Sequence, residues 1–330
     1  MAQPLRFRYS PERWSLDRVR QDLLADLDAN LGAEMSKPWY KVNGAFESRR
    51  FDMDNGDTAL FAWSDEGAYW MGNTETPKAL WQTEKYGFDE VPEAIANWAE
   101  RELLAEVFES DPWLKSYEHL AQFFLPVLAS KDGRETSRAF FQDYAAGFPD
   151  TDTETALTFY DEFLGSGVLD SYRHRMAGKL GTSTHLDTTR MAAAMSEFTV
   201  AKLLSDAGYA IEPEIAVTSG HSIDFKATRG EEGYLVEVTR PGRPVNRQAG
   251  TAPAAVRDTV ETKLAGQLAV HGGGVILMVD CSSFTDEEWN SVRAESPDVG
   301  HRPAVVFRAR PDGSVDGYER GSVPLEFSWL

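Results

Sequence analysis

Two short stretches decide the fold of this chain: Ser222-Ile223-Asp224-Phe225 and Tyr234-Leu235-Val236-Glu237-Val238-Thr239. Each is an apolar segment of strand length with one carboxylate inside it, and the glycine-containing stretch 229–233 between them predicts a turn. A carboxylate in a buried strand is costly unless it is paired or binds a cation. Asp224 and Glu237 therefore predict a shared partner.

The segments on either side of this pair complete an alternating order of elements. Hydrophobic periodicity predicts a helix over 186–207, a strand at 214–218, the two acidic strands, a helix over 253–269 and an apolar strand at 275–279. This α-β-β-β-α-β order predicts an α/β domain with a mixed sheet. A strand that follows a helical crossover lies parallel to its predecessor, so we expect 275–279 beside 234–239. A helix over 286–293 and a hairpin of 304–308 and 315–318 are predicted to end the chain.

Upstream of this domain the pattern divides into three parts. Alternating strands with turn sequences predict a small antiparallel sheet with one helix in residues 1–91, and helical periodicity predicts a helical bundle in residues 92–165. Glycines and basic residues predict a linker in 166–185, before the domain at 186–330. The whole chain is thus expected to be α+β, and no motif assigns a role to residues 1–165.

The composition describes a folded, acidic protein. Fifty-three acidic and 33 basic residues give a net charge of −20, while 42% hydrophobic residues exclude a disordered acidic chain. Only 10 of the basic residues are Lys, which favours a halophilic archaeal protein whose surface charge is screened by salt; an ordinary acidic protein is the alternative. The single Cys281 and the lack of any apolar stretch long enough for a membrane span or a signal peptide predict a cytoplasmic location.

A third carboxylate, Glu197 on the helix before the strands, is expected to approach Asp224 and Glu237. Three convergent carboxylates suit Mg²⁺ or Mn²⁺, which prefer hard oxygen ligands and retain several waters. Such an ion can activate one of these waters against a phosphodiester. The residues thus predict a metal site with hydrolytic chemistry.

At residues 186–280 the element order and these three acids resemble the PD-(D/E)XK, or restriction-endonuclease-like, nuclease superfamily. The resemblance implies a metal-dependent nuclease that binds DNA or RNA, with the backbone carbonyl of Val238 as a further metal ligand. It also implies a place near the site for Gln267, on the helix after the strands. As a whole, the chain resembles an uncharacterised haloarchaeal family of unknown function, which implies no activity.

One position departs from the superfamily pattern, because Thr239 stands where E-x-K places its lysine. That lysine orients the attacking water and stabilises charge on the phosphate, which a neutral hydroxyl does not do. Two hypotheses follow. Either Lys226, two residues after Asp224 on the adjacent strand, supplies the ammonium group, or the chain is a catalytically inactive nuclease fold that serves as a nucleic-acid- or protein-binding module.

Three arginines follow the second acidic strand: Arg240, Arg243 and Arg247. In an acidic chain such a cluster is suited to phosphate contacts, and the alternative is a loop whose arginines pair with surface carboxylates. No glycine-rich loop opens a helix, so we expect no nucleotide cofactor. The sequence assigns neither a protein partner nor an oligomeric state.

Overall fold

The computed structural model describes residues 5–216, 222–244, 250–265 and 274–330, and the chain forms two compact units. Unit 1 comprises the chain up to Thr136 together with Gly181–Thr184, and unit 2 comprises Ser137–Leu180 together with His185–Leu330. These limits differ from the boundaries predicted at residues 91, 165 and 185. The predicted combination of helices with one antiparallel and one mixed sheet is confirmed.

Unit 1 is built on a six-stranded antiparallel sheet in the order β2-β3-β4-β5-β1-β6. Its strands are β1 Phe7–Ser10, β2 Glu34–Ser36, β3 Glu47–Asp52, β4 Thr58–Ser64, β5 Gly67–Gly72 and β6 Glu84–Tyr86. A helical segment over 16–31, α1, has a π-helical stretch at Val19–Leu24. It buries Val19, Leu23 and Leu27 against the aromatic residues of the sheet, because residues four apart share one face of a helix.

The next helices are α2 Glu93–Ser110, α3 Glu118–Phe123, α4 Leu125–Leu128, α5 Arg134–Asp143 and α6 Thr153–Gly165. The periodicity of 112–130 suggests one helix, but the structure has a 3₁₀ turn at Pro112–Ser116 followed by the two short helices α3 and α4. Pro126 explains the break between α3 and α4, because proline has no amide hydrogen with which to continue the hydrogen bonding of α3 and is tolerated in the first turn of α4.

Unit 2 contains the helices α7 Arg173–Gly178, α8 Thr188–Asp206, α9 Ala252–Lys263 and α10 Asp286–Glu295. Its strands are β7 Ala210–Ala216, β8 Ser222–Arg229, β9 Glu232–Thr239, β10 Val275–Asp280, β11 Ala304–Ala309 and β12 Val315–Arg320. The sheet has the order β12-β11-β10-β9-β8-β7. The prediction that β10 lies parallel beside β9 is confirmed. Every residue of β10 is buried, as expected for a central parallel strand covered on both faces.

Local sequence signals set where the helices of unit 2 begin. The Asp187 side chain accepts a hydrogen bond from the Arg190 amide at the start of α8, and the Thr251 side chain accepts one from the Ala254 amide at the start of α9. Thr285 and Glu288 form a reciprocal capping box at α10. The starts of α8 and α9 place Glu197 in the middle of one helix and Lys263 at the end of the other.

The segment 166–185, expected as a linker, carries a 3₁₀ turn at Asp170–Tyr172 and the helix α7. Four apolar side chains attach it to the protein by burial: Leu169, Met176, Ala177 and Leu180. The glycines and basic residues of the stretch suggest a linker, but these four widely spaced apolar side chains are buried and hold it against the protein. The segment thereby places Lys179 beside the predicted acids.

Candidate functional site

The backbone pairing of β8 with β9 ends just before the two acids predicted from sequence. The ladder extends from the hairpin to Phe225 opposite Val236, and the next pair in register is Asp224 and Glu237. At this pair, side-chain carboxylates accept the amide hydrogen bonds that backbone carbonyls accept in the rest of the ladder. The Val238 amide donates to Asp224 Oδ2 at 2.8 Å, and the Asp224 amide donates to Glu237 Oε2 at 3.3 Å. The two carboxylates are thereby fixed beside each other at the end of the ladder.

Glu197 reaches the same place from α8 through a lysine. Lys179 Nζ forms an ion pair with Glu197, lies 3.0 Å from Glu214 Oε1, and lies 4.0 Å from Asp224 Oδ1. All four side chains are at least four-fifths buried. One ammonium group therefore gathers acids from the helix α8 and the strands β7 and β8.

A second lysine forms an ion pair with Glu237. Lys263, the last residue of α9, places its Nζ 2.6 Å from Glu237 Oε1, and the Glu237 side chain is only 1% exposed. We call the six side chains the acid–lysine cluster: Lys179, Glu197, Glu214, Asp224, Glu237 and Lys263. It contains four carboxylates and two ammonium groups.

Backbone strain marks the same site. Glu214 has φ +56°, in the left-handed region that side-chain-bearing residues rarely occupy. A residue held there costs about 1–3 kcal/mol, and such strain is concentrated at functional positions. The conformation interrupts β7 between Pro213 and Ile215, which remain paired with β8. Glu214 therefore belongs to the cluster through its side chain and not through the regular ladder.

Burial and the neighbouring charges shift the pKa values of the cluster. Burial raises the pKa of Glu197 to about 8, Asp224 adds to this rise, and the Lys179 ammonium opposes it. Burial and the charge of Asp224 also raise the pKa of Glu237, against the opposing charge of Lys263. Burial alone would lower the pKa of Lys179, but its carboxylate partners, Glu197 first, outweigh burial and raise it. At Glu197 and Glu237, burial together with the charge of Asp224 thus outweighs the attraction of the two lysines.

Lys226, which was predicted to supply the ammonium group, does not lie beside the acids. Lys226 is exposed, and its Cε lies 3.4 Å from where a Cβ on Gly233 would be, toward the β8–β9 hairpin. Lys179 and Lys263 are the lysines that contact the acids. Thr239, in the superfamily's lysine position, is half-buried and pairs with Val279 of β10.

The predicted phosphate contact of Arg240 needs correction. Its side chain is 2% exposed and lies 3.2 Å from Asp280 Oδ2, and it also donates to Ser283 Oγ at 2.6 Å. Two further bonds reach the backbone carbonyls of Gly147 at 2.8 Å and Ala192 at 3.2 Å. Since these partners engage all three guanidinium nitrogens inside the protein, Arg240 is a structural residue.

Arg243 remains accessible. It pairs with Glu288 at 3.0 Å and keeps about a third of its side chain exposed. Arg247 and Gln267 lie outside the described residues. The Val238 residue of the predicted site is buried, and its amide, not its carbonyl, makes the contact with Asp224 described above.

Three members of the cluster were missed from sequence: Lys179, Glu214 and Lys263. The scarcity of lysine was a usable signal. The chain has only 10 lysines, and two of them lie in this cluster. Lys179 was overlooked because its segment resembles a linker, and Glu214 because it begins the predicted strand 214–218 and does not interrupt its apolar part.

Two further features of the described residues concern metal binding and membrane insertion. In the four described ranges, no group of three or more His, Cys, Asp or Glu side chains is arranged to hold a metal ion as it stands. The carboxylates of the cluster are instead turned toward lysines. None of the described helices combines the length and the apolar character that crossing a membrane requires.

The fold and the cluster define a mixed α/β protein with a buried, carboxylate-rich ionic site at the end of two adjacent strands. The model of a family of unknown function, DUF5784, matches residues 2–327, and the chain belongs to this family. This agrees with the resemblance of the whole chain to a family of unknown function. Comparison with curated proteins and with solved structures gave no match.

Proposed function

We propose that this protein is a metal-dependent nuclease that hydrolyses nucleic-acid phosphodiesters at Glu197, Asp224 and Glu237. The observation that carries the proposal is the charge imbalance of the acid–lysine cluster, four carboxylates against two ammonium groups in a largely buried place. Uncompensated buried charge is costly, and a divalent cation would neutralise the remaining two charges. The order of elements in residues 186–280 and the three acids support assignment to the PD-(D/E)XK superfamily.

The donor chemistry suits Mg²⁺ or Mn²⁺, although the carboxylates of the described residues are not arranged to hold an ion as they stand. Carboxylates are hard oxygen ligands, and Asp224 and Glu237 are already fixed to each other through backbone amides. Since Lys179 now bonds to Glu197, and Lys263 to Glu237, binding of the ion requires at least one of these ion pairs to open. When bound, the ion would supply an activated water and a positive charge for the phosphate.

The chain's own residues account for the missing lysine of E-x-K. Lys179 brings an ammonium group within 4.0 Å of Asp224, which is the charge that Thr239 lacks. It comes from the segment before α8 and not from β9. In this proposal Lys179 stabilises charge on the phosphate, and Lys263 holds the buried Glu237 in place.

A second function, a catalytically inactive binding module, is favoured by one observation. Lys179 already lies among three carboxylates, so a protein cation serves as their partner. A permanent ion-pair network of this kind needs no metal. The two functions differ in whether Mg²⁺ or Mn²⁺ opens the ion pair of Lys179 or of Lys263 and binds the released carboxylates.

Cleavage assays test the proposal directly. Single-stranded DNA, double-stranded DNA, branched DNA and RNA would be incubated with Mg²⁺ or Mn²⁺, at about 0.1 M and about 1 M KCl because salt screens phosphate contacts. The variants are Asp224→Asn and Glu237→Gln, which keep the hydrogen-bond acceptors, with the exposed Glu319→Gln as the matched control.

We expect cleavage by the wild-type chain and by Glu319→Gln, and none by the two cluster variants. Cleavage that persists in Asp224→Asn and Glu237→Gln would overturn the assignment of the site. Nucleic-acid binding without cleavage under any of these conditions would support the inactive module instead.

A further inference from the structure

A cavity of 670 Å³ lies in unit 2, outside the acid–lysine cluster. Four parts of the chain line it: the segment from Phe140 to Thr153, the start of α8 at Thr188, Thr189 and Ala192, the turn after β9 at Arg240–Arg243, and Ser283 after β10. Its volume falls within the range of about 300–1,000 Å³ of ordinary small-molecule sites. The cavity is therefore large enough for a nucleoside.

The wall of this cavity is a strained loop that the protein holds in place. Ala145, Ala146 and Asp150 have φ values of +45°, +51° and +55°, all in the left-handed region. Each such residue costs about 1–3 kcal/mol and persists only where surrounding contacts enforce it. The buried Arg240 provides one of these contacts by donating to the Gly147 carbonyl at 2.8 Å. Such clustered strain is typical of ligand sites.

The lining combines an aromatic rim with polar groups. Tyr144, which is 48% exposed, and Phe148, which is buried, both line the cavity from the same loop. Hydroxyl and carboxylate groups surround them: Asp143, Thr151, Asp152, Thr153, Thr188, Thr189 and Ser283. Arg243, about one-third exposed, adds a cation. Stacking on an aromatic ring, with hydrogen bonds to the base edges and a cation for the phosphate, is how proteins hold an unpaired nucleotide.

Two elements connect the cavity to the acid–lysine cluster. Along β9, Arg240 follows Glu237 by three residues, which is about 10 Å of extended chain. Along α8, Glu197 follows Ala192 by five residues, which is about 7.5 Å of helix. Three residues of extended chain reverse the side-chain direction, and five residues of helix rotate it by about 140°, so Arg240 and Ala192 project in different directions from Glu237 and Glu197.

We propose that this cavity is a nucleobase subsite, in which an unpaired base of the nucleic-acid strand stacks on Tyr144 while another part of the same strand lies at the acid–lysine cluster. The proposal rests on the proposed nuclease function for its substrate. It makes the protein selective for single-stranded or locally unpaired nucleic acid. Arg243 contacts the phosphate next to the inserted base.

Binding of a fluorescently labelled single-stranded oligonucleotide tests the subsite, measured by anisotropy with Ca²⁺ in place of Mg²⁺. Because stacking of one base contributes strongly to affinity, Tyr144→Ala is expected to weaken binding about 5- to 150-fold. Tyr144→Phe keeps the ring and should bind as the wild type does. Trp81→Ala removes a 62% exposed aromatic residue in unit 1 and is the matched control.

A scan with single abasic residues identifies the inserted base. Removing one particular base from the oligonucleotide should weaken binding by the same factor, and should have no further effect in Tyr144→Ala, since both changes remove the same contact. Free mononucleotides form a second arm. Tight binding of a mononucleotide together with no effect of any abasic position would assign the cavity to a free nucleotide and overturn the strand proposal.

The outcomes separate this inference from the proposed function. Metal-dependent cleavage with unchanged binding by Tyr144→Ala overturns the subsite and leaves the nuclease in place. Tyr144-dependent binding with no cleavage keeps the subsite and supports the binding module. If the wild-type chain binds no oligonucleotide, both proposals fail.

Discussion

Two ionic groups lie on the same sheet of unit 2, and they differ in how their charges are matched. Arg240, after β9, and Asp280, at the end of β10, form a pair of one cation and one anion, with both side chains at most 2% exposed. The Asp280 carboxylate also accepts the Ser282 amide at 2.8 Å. The acid–lysine cluster holds four carboxylates and two ammonium groups, and backbone strain at Glu214 accompanies it.

The difference separates a structural ion pair from a candidate site. A buried pair with balanced charge and complete hydrogen bonding needs nothing further from solvent or ligand. A buried group with surplus charge is stable only if protons or a cation compensate it, and the raised pKa of Glu197, caused first by burial, makes this carboxylate easier to protonate than an exposed glutamate. Charge balance thus distinguishes the two groups better than residue type does.

The largest expected effect is on catalysis at the cluster. Asp224→Asn and Glu237→Gln remove carboxylate charge from the proposed metal site, so kcat/KM for the oligonucleotide should fall at least about 1,000-fold. The free energy of unfolding of the metal-free variants, measured with urea, should be unchanged or higher, because one repelling charge is gone. A large loss of stability in both variants would indicate that the acids are structural.

For the Arg240–Asp280 pair, in contrast, we expect a substitution to lower the free energy of unfolding. Arg240→Met leaves Asp280 buried without its partner and should lower the free energy of unfolding by about 3–5 kcal/mol in urea denaturation. The double variant with Asp280→Leu should recover much of this stability, because no unpaired charge remains. An Arg240→Met protein of normal stability that merely binds nucleic acid more weakly would restore the phosphate role predicted from sequence.

The third comparison is between two lysines. Lys179→Gln should lower kcat for cleavage about 100-fold, because it removes the proposed charge beside the phosphate. Lys226→Gln removes an exposed lysine of the same sheet and should leave kcat unchanged. The reverse ranking of the two variants would return the catalytic role to Lys226.

The smallest expected effect is that of metal on stability. Mg²⁺ at ten times its Kd should stabilise the wild-type chain by about 1.4 kcal/mol, since it binds only the folded site. For a unit of this size the shift in Tm is about 3–6 °C in a calorimetric scan. Asp224→Asn should show no shift. Equal shifts in the two proteins would mean that the ion binds elsewhere.

Sequence reasoning succeeded where the signal was local. The apolar stretches with acids inside them located β8 and β9, and hydrophobic periodicity located the helices before and after them, α8 and α9. The parallel pairing of β10 with β9 followed from the order of elements. Glu197, Asp224 and Glu237 were chosen because acids in apolar surroundings are unusual.

Reasoning from sequence failed where partners are distant along the chain. Lys179 precedes Asp224 by 45 positions in a segment rich in glycine and basic residues, and nothing local indicates that its ammonium group meets that acid. Arg240 was placed with Arg243 as a phosphate contact because the two are neighbours in sequence. The carbonyl of Gly147, 93 positions away, is one of the partners that bury it.

The sequence by itself determined the acidic character of the protein, the order of its elements and the three acids that interrupt apolar segments. These properties depend on composition and periodicity, which are local. Tertiary structure alone decided which cation faces each acid, that Arg240 is internal, and that a strained loop encloses a cavity beside β9. Electrostatic partnership depends on distance in space and on burial, and neither is encoded in the spacing of residues along the chain.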